Sequence, residues 1–125
     1  MMLGDAAVGK TSLTIRYISG FFLEDLKLTI GVDFYSKTTN FNDKKVKLQI
    51  WDFGGEERYR FLLHQYYKDA RGGLLVFDIA DSSSLAHIDD WLSEIRINIG
   101  SDIGKQLVRI EMKAIQFAFR EAKKQ

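Results

Sequence analysis

Gly4-Asp5-Ala6-Ala7-Val8-Gly9-Lys10-Thr11 reads as the end of a short apolar strand, a turn built on glycines, and the first turn of a helix. The spacing G-x-x-x-x-G-K-[S/T] puts glycine where the main chain must bend tightly and let its N–H groups converge on one anion. Lys10 then reaches the terminal phosphates as a mobile cation, Thr11 offers a hydroxyl to Mg²⁺, and the helix start adds partial positive charge. A nucleoside triphosphate is the ligand this stretch implies. The plainer alternative is a helix start that happens to hold two glycines and a lysine.

Outward from that turn, Met1-Met2-Leu3 is a strand end, too short to sit securely in a sheet without residues before it. From Lys10 to about Ser19, Leu13, Ile15, Tyr17 and Ile18 fall among polar positions as in an amphipathic helix, and Gly20 stops it. Residues 21–30 follow neither a helical nor an extended period and read as a loop. Residues 32–41 are rich in β-branched and aromatic side chains, Asn42-Asp43 is a turn signal, and Val46-Lys47-Leu48-Gln49-Ile50-Trp51 alternates with period two. A hairpin is expected there.

Asp52-Phe53-Gly54-Gly55 ends its second strand, and a polar run over 56–60 precedes a more apolar one over 61–67. Gly73-Leu74-Leu75-Val76-Phe77-Asp78-Ile79 predicts a strand buried on both faces. Asp81 and Ser82-Ser83-Ser84 supply capping side chains to one helix carrying Leu85, Ile88, Leu92, Ile95 and Ile99, closed by Gly100. Val108, Met112, Ile115, Phe119 and Ala122 step the same way in a last helix. Together these elements predict one α/β domain over 1–125, an open mixed sheet with helices on both faces. Ligands of such sheets lie outside the carboxyl ends of the strands, where the phosphate turn, Asp52 and Asp78 all fall.

The 125 residues are 46% hydrophobic and 13% aromatic, enough for one core and unlike a disordered chain. A net charge of +1 makes no electrostatic case for nucleic acid or a membrane surface, and Lys123-Lys124 is too short a basic run to anchor one. With no cysteine, disulfides, thiolate metal sites and cysteine-linked lipid are excluded, and a cytoplasmic location is expected. His64 and His87 lack metal-like spacing and read as surface residues, and Asp89-Asp90 as solvated charge.

Three motifs now stand in register: Leu3-Gly4-Asp5 through Gly9-Lys10-Thr11-Ser12-Leu13, then Thr29-Ile30-Gly31-Val32-Asp33-Phe34, then Leu48-Gln49-Ile50-Trp51-Asp52-Phe53-Gly54-Gly55-Glu56-Glu57-Arg58. Tyr66-Tyr67-Lys68-Asp69-Ala70 and Leu75-Val76-Phe77-Asp78-Ile79 follow them. In order and spacing, residues 3 to about 100 resemble the Ras-like small GTPases, and within them the Rab branch. The resemblance implies a P-loop GTPase fold, GTP and GDP as ligands with Mg²⁺, and a switch whose loops relax when the terminal phosphate leaves.

Residue by residue, the resemblance implies that Gly4, Asp5, Ala6, Ala7, Val8, Gly9, Lys10, Thr11 and Ser12 cradle the phosphates. Thr29 would hold metal and terminal phosphate, Gly55 would touch that phosphate through its N–H, and Asp52 would join the metal's shell through water. Phe22 would pack on the base. Effectors, exchange factors and activating proteins would read residues 29–34, Trp51 and residues 56–66, with Phe34, Trp51 and Tyr66 as an aromatic triad. Sheet-face packing is the plainer reading of Phe34 and Trp51.

The chain departs from the family in three places. Glu56 stands where most members carry a water-orienting glutamine, and a carboxylate accepts from water but cannot donate to phosphoryl oxygens. Ala6 and Ala7 occupy positions often held by glycine or serine. After Ile99 neither an Asn-Lys-x-Asp nor a Ser-Ala-Lys motif is present, and residues 106–121 resemble the helix that follows the first of these. The domain is therefore expected to be incomplete at both ends, without a membrane anchor, and prone to self-association through the 73–79 edge. GTP hydrolysis relying on Lys10, Thr29 and Glu56 is the preferred expectation; a non-enzymatic interaction module with little guanine selectivity is the alternative.

Overall fold

The computed structural model describes residues 1–66 and 69–99. The helix expected after Gly104 and the Gly100 stop lie outside them. The hairpin forms as its pattern requires: β2 (Val32–Phe41) and β3 (Lys44–Phe53) pair antiparallel from Val32 opposite Phe53 to Phe41 opposite Lys44. Asn42 and Asp43 turn the chain at φ +47° and +60°, the left-handed pair that a two-residue hairpin turn needs and that short polar side chains tolerate. α1 (Lys10–Ser19) ends at Gly20, whose φ of +80° lets its N–H return to the Arg16 carbonyl.

β1 (Met2–Leu3) and β4 (Leu74–Leu75) complete the sheet in the order β2-β3-β1-β4, with β1 parallel to both neighbours. The segment that looked too short to be secure is thus an inner strand. Leu74 and Val76 donate to the carbonyls of Met1 and Leu3 at 2.8 Å, and the terminal amine donates to Gly72 at 2.8 Å. Both of its residues are buried, one toward each face.

Alternation along the strands builds two layers of core. Leu3, Phe53 and Leu75 face Leu63 of α2 (Leu63–Tyr66) and Ile88, Trp91 and Ile95 of α4 (Ile88–Ile99). Met2 and Val76 face the other way, packing with Val8 and against Leu13 of α1 and Ile50. A 3-10 helix (Glu57–Leu62) leads into α2, so the polar and apolar runs over 56–67 form one short helical segment over their described part.

Two expectations change. The apolar run 73–79 contributes only Leu74–Leu75 to the ladder, and Leu74 and Ile79 are 41% and 47% exposed. The partner strand sets the limit, because β1 turns into the phosphate loop at Gly4. Beyond it, Ser84 Oγ accepts from the Asp78 N–H at 2.9 Å and Asp78 Oδ1 from the Ala80 N–H at 2.8 Å, replacing strand partners with side chains.

The single helix over 82–99 is two, α3 (Ser82–Ala86) and α4, broken at His87. Asp81 caps α3 through the Ser83 N–H at 3.0 Å. The break rotates the first turn, so Leu85 is 49% exposed while Trp91, off the anticipated stripe, is 1% exposed. Trp91→Ala is expected to cost about 3–5 kcal/mol by opening a core cavity, and Leu85→Ala no more than about 0.5 kcal/mol. Urea midpoints of the two variants check this; equal shifts would contradict the buried face assigned to α4.

Candidate functional site

The loop between β1 and α1 is shaped by close approach. A Cβ on Gly4, at φ +139°, would lie 2.1 Å from the carbonyl oxygen of Val76, the residue after β4, so only glycine lets the chain leave β1 beside it. Gly9, at φ +103°, opens α1 with no side-chain cap and no acidic residue in the first turn. That helix start presents its N–H groups and dipole to an anion without internal competition.

Lys10 begins the helix and is 5% exposed. Its Nζ donates to the carbonyls of Gly4 at 2.8 Å and Asp5 at 2.5 Å, folding the loop around the amine. Burial pushes the ammonium down to about 8, against the pull of Asp52 and Asp5. A desolvated cation held by weak neutral acceptors is well placed to exchange them for phosphate oxygens.

Three segments meet beside it. Thr11 Oγ1 lies 2.6 Å from Thr29 Oγ1 and donates to Asp52 Oδ2. Asp52 is fully buried, which raises its carboxyl above the usual range despite the Thr11 bond and the nearby Lys10 charge. Among the described residues its Oδ1 has no hydrogen-bond partner. Two hydroxyls and a carboxylate with an orphaned oxygen form a hard, all-oxygen donor set that fits Mg²⁺. Among the described residues no cluster of His, Cys, Asp and Glu offers a different metal site.

Gly54 and Gly55 let the end of β3 slide between the other two segments. The Gly54 N–H donates to the Gly31 carbonyl at 2.7 Å, and a Cβ on Gly54 would stand 2.7 Å from the Thr29 carbonyl oxygen. A Cβ on Gly55 would meet Ala6 N and Asp5 C at 2.1 Å, both main chain of the phosphate loop.

An open cavity of about 210 Å³ lies over this junction. Ala6, Ala7, Gly9, Lys10, Thr11, Ser12, Thr29, Gly55 and Glu56 line it. Gly4, Asp5, Val8 and Phe22 do not: Gly4 and Asp5 contribute carbonyls to Lys10, Val8 is buried in the core, and Phe22 is half-buried elsewhere. Glu24, Leu26, Lys27 and Leu28 also line the cavity, and the irregular loop carrying them has no period that marks them in sequence. Ala7 adopts φ +61°, a left-handed conformation unusual for alanine. Glu56 is ion-paired with Arg58 at 2.8 Å.

Two further groups gather around the site. Phe34, Trp51 and Tyr66 meet edge to face with ring centroids 5.3–6.3 Å apart, and Phe53 joins Tyr66 from the core side. His87, which sequence placed on the surface without a role, lies with Nδ1 2.5 Å from Asp5 Oδ2, and Trp91 Nε1 donates to Asp5 Oδ1 at 2.9 Å.

A sheet whose inner strand runs through a glycine turn into a helix, with a buried lysine at the turn and a threonine–carboxylate cluster at the neighbouring strand end, is a P-loop α/β domain. The Ras family model matches residues 1–117, and the chain belongs to the Ras family. It is 40% identical over 108 residues to Ras-related protein RAB1BV of Beta vulgaris, covering 86% of this chain and 50% of that protein. It is also 44% identical over 96 residues to Ras-related protein Rab-3D of Homo sapiens, covering 77% and 44%. With Ras-related protein Rab-26 of Bos taurus the identity is 39% over 117 residues, covering 93% and 46%. The chain spans about half the length of these relatives.

Gly55→Ala is expected to cost about 1–3 kcal/mol by forcing the phosphate loop off β3. Thermal unfolding, with amide exchange read at residues 5–10, checks it; an unchanged melt and unchanged loop protection would contradict the packing described.

Proposed function

We propose that this chain is a guanine-nucleotide switch that binds GTP and GDP with Mg²⁺. The observation that carries the reading is the meeting of Thr11, Thr29 and Asp52, from three separate segments, beside the buried amine of Lys10. Lys10, Ser12 and the α1 start would take the phosphates, Thr11, Thr29 and Asp52 would hold the metal, and Gly55 would present its N–H. The metal would neutralise charge between the terminal phosphates. Membership of the Ras family supports the same reading.

The switch would lie in what Thr29 can hold. Its loop is tied to the end of β3 through Gly31 and Gly54, so losing a phosphate at Thr29 would be felt at β3 and at the aromatic triad. Effectors and regulators would dock there, a reading supported by the exposure of Ile30 at 78%, Phe34 at 57% and Phe61 at 61% around the half-buried Trp51 and Tyr66.

Hydrolysis and plain binding part at Glu56. Its pairing with Arg58 occupies the carboxylate at the position where water would be oriented, and favours a second reading, a nucleotide-binding module with little turnover. Calorimetry with GTP, GDP and ATP, with and without Mg²⁺, tests the primary reading. Guanine nucleotide is expected to bind more tightly with Mg²⁺, Lys10→Ala to lose about a hundredfold or more in affinity, and Asp52→Ala to lose the Mg²⁺ dependence. Unchanged affinity in Lys10→Ala would refute the phosphate site. Single-turnover GTP cleavage then separates enzyme from module: intact GTP over hours means the module.

A further inference from the structure

Asp5 belongs to the phosphate loop, yet its side chain turns away from the cavity. Its Oδ1 accepts from Trp91 Nε1 at 2.9 Å and its Oδ2 lies 2.5 Å from His87 Nδ1, while its main-chain carbonyl accepts from Lys10 Nζ at 2.5 Å. One residue therefore holds the phosphate-binding lysine at one end and is held by the α3–α4 junction at the other. Its main chain is also the surface against which Gly55 lies.

The holder is itself anchored. Trp91 is 1% exposed in the core beneath the sheet. His87 is fixed at both ends of its main chain, its N–H donating to the Ser83 carbonyl at 3.0 Å and its carbonyl accepting from the Trp91 N–H at 3.1 Å. Its ring is about half exposed, so protons reach it from solvent.

We propose that His87 is a positioning residue: seated on Asp5, it ties the phosphate loop to the α3–α4 junction, and the tie tightens nucleotide binding when the imidazole is protonated. The proposal rests on the guanine-nucleotide reading above and adds a regulation to that site. The charged groups facing the ring are Asp5 from the phosphate loop, Asp90 from α4, Arg60 from the 3-10 helix and Asp81 ahead of α3. The hydrogen bond and charge of Asp5 raise the imidazole above its ordinary value, Asp90 adds to this, and burial and Arg60 oppose it.

The sign follows. Protonated, His87 makes an ion pair with Asp5 and holds the loop in the shape that presents Lys10. As pH rises through the raised value the pair becomes a neutral hydrogen bond, weaker than a charged one. Nucleotide affinity then falls with rising pH, and by reciprocity bound nucleotide makes His87 hold its proton more tightly. Lys10, depressed to about 8, titrates at the upper end of the same window, so the comparison has to be made against a chain lacking only the imidazole.

The test measures affinity of the full chain for a fluorescent GDP analogue with Mg²⁺ from pH 5.5 to 8.5, beside His87→Gln and Asp5→Asn. The Trp91 indole ¹⁵N–¹H resonance is followed over the same range without nucleotide. The native chain is expected to lose about two- to fivefold more affinity than His87→Gln between pH 6 and pH 8, the range one partly exposed ion pair supplies. The indole resonance is expected to titrate in the native chain and to stay still in His87→Gln. Asp5→Asn is expected to match His87→Gln, and carries the comparison should that variant fail to fold. Parallel pH profiles in native and variant chains, or an indole signal that ignores His87, would overturn the proposal. A chain that binds no guanine nucleotide at any pH overturns the functional reading and the coupling with it; a titrating indole then locates the failure in binding, with the His87–Asp5 contact intact.

Discussion

A lysine and an aspartate lie almost out of reach of water within one small junction, Lys10 at 5% exposure and Asp52 at 0%. Removing such groups from solvent costs several kcal/mol each unless partners are close and well aimed. Lys10 finds two carbonyls of its own loop; Asp52 finds the Thr11 hydroxyl and the field of Lys10. The two charges and their partners come from the phosphate loop, α1 and the end of β3, so the charges stay buried only while these three segments remain packed. Gly4, Gly54 and Gly55 follow from this demand. At each of them a Cβ would overlap neighbouring backbone, and a wider loop would leave the charges uncovered.

What sequence discloses here divides along the range of the interactions. The β2–β3 hairpin was legible because its alternation and its Asn42-Asp43 turn are local, and α1 because its apolar spacing and the Gly20 stop are local too. The phosphate loop was legible as a fixed spacing of glycines and lysine. β4 was overread: the run 73–79 has the side chains of a long buried strand, but its ladder length is set by β1, a partner more than 70 residues away that ends at Leu3. The break at His87 was hidden because both halves of the 82–99 stretch keep helical spacing, and only packing against the sheet chose Trp91 over Leu85.

The same division explains the candidate site. Lys10, Thr11, Thr29, Asp52 and Gly55 were named from motifs and are brought together by the fold. Lys27 and Leu28, which line the cavity from an irregular loop, carried no signal. Nor did the partnership of Asp5 with His87, which are 82 residues apart and belong to segments whose meeting depends on the whole sheet being assembled. A histidine without metal-like spacing is a poor clue to such a contact.

Strand geometry supplies the link between the buried site and the surface. Successive residues of a strand point to opposite faces. On β3, Asp52 lies opposite Met2 on the face covered by α1, so its neighbours Trp51 and Phe53 face the other side, where they meet Tyr66. On β2, Asp33 pairs with Asp52 and Phe34 with Trp51, so the order of carboxylate and aromatic ring is repeated across the ladder. Thr29 and Gly31 lead into this ladder at its Val32–Phe53 end, and Phe34 follows Val32 by two residues. The hydrogen-bonded pairs do not allow β2 to slip by one residue without turning Phe34 to the wrong face. The aromatic triad is therefore seated one pair beyond the Asp33–Asp52 pair, tied through the ladder to the end of the hairpin that the Thr29 loop enters.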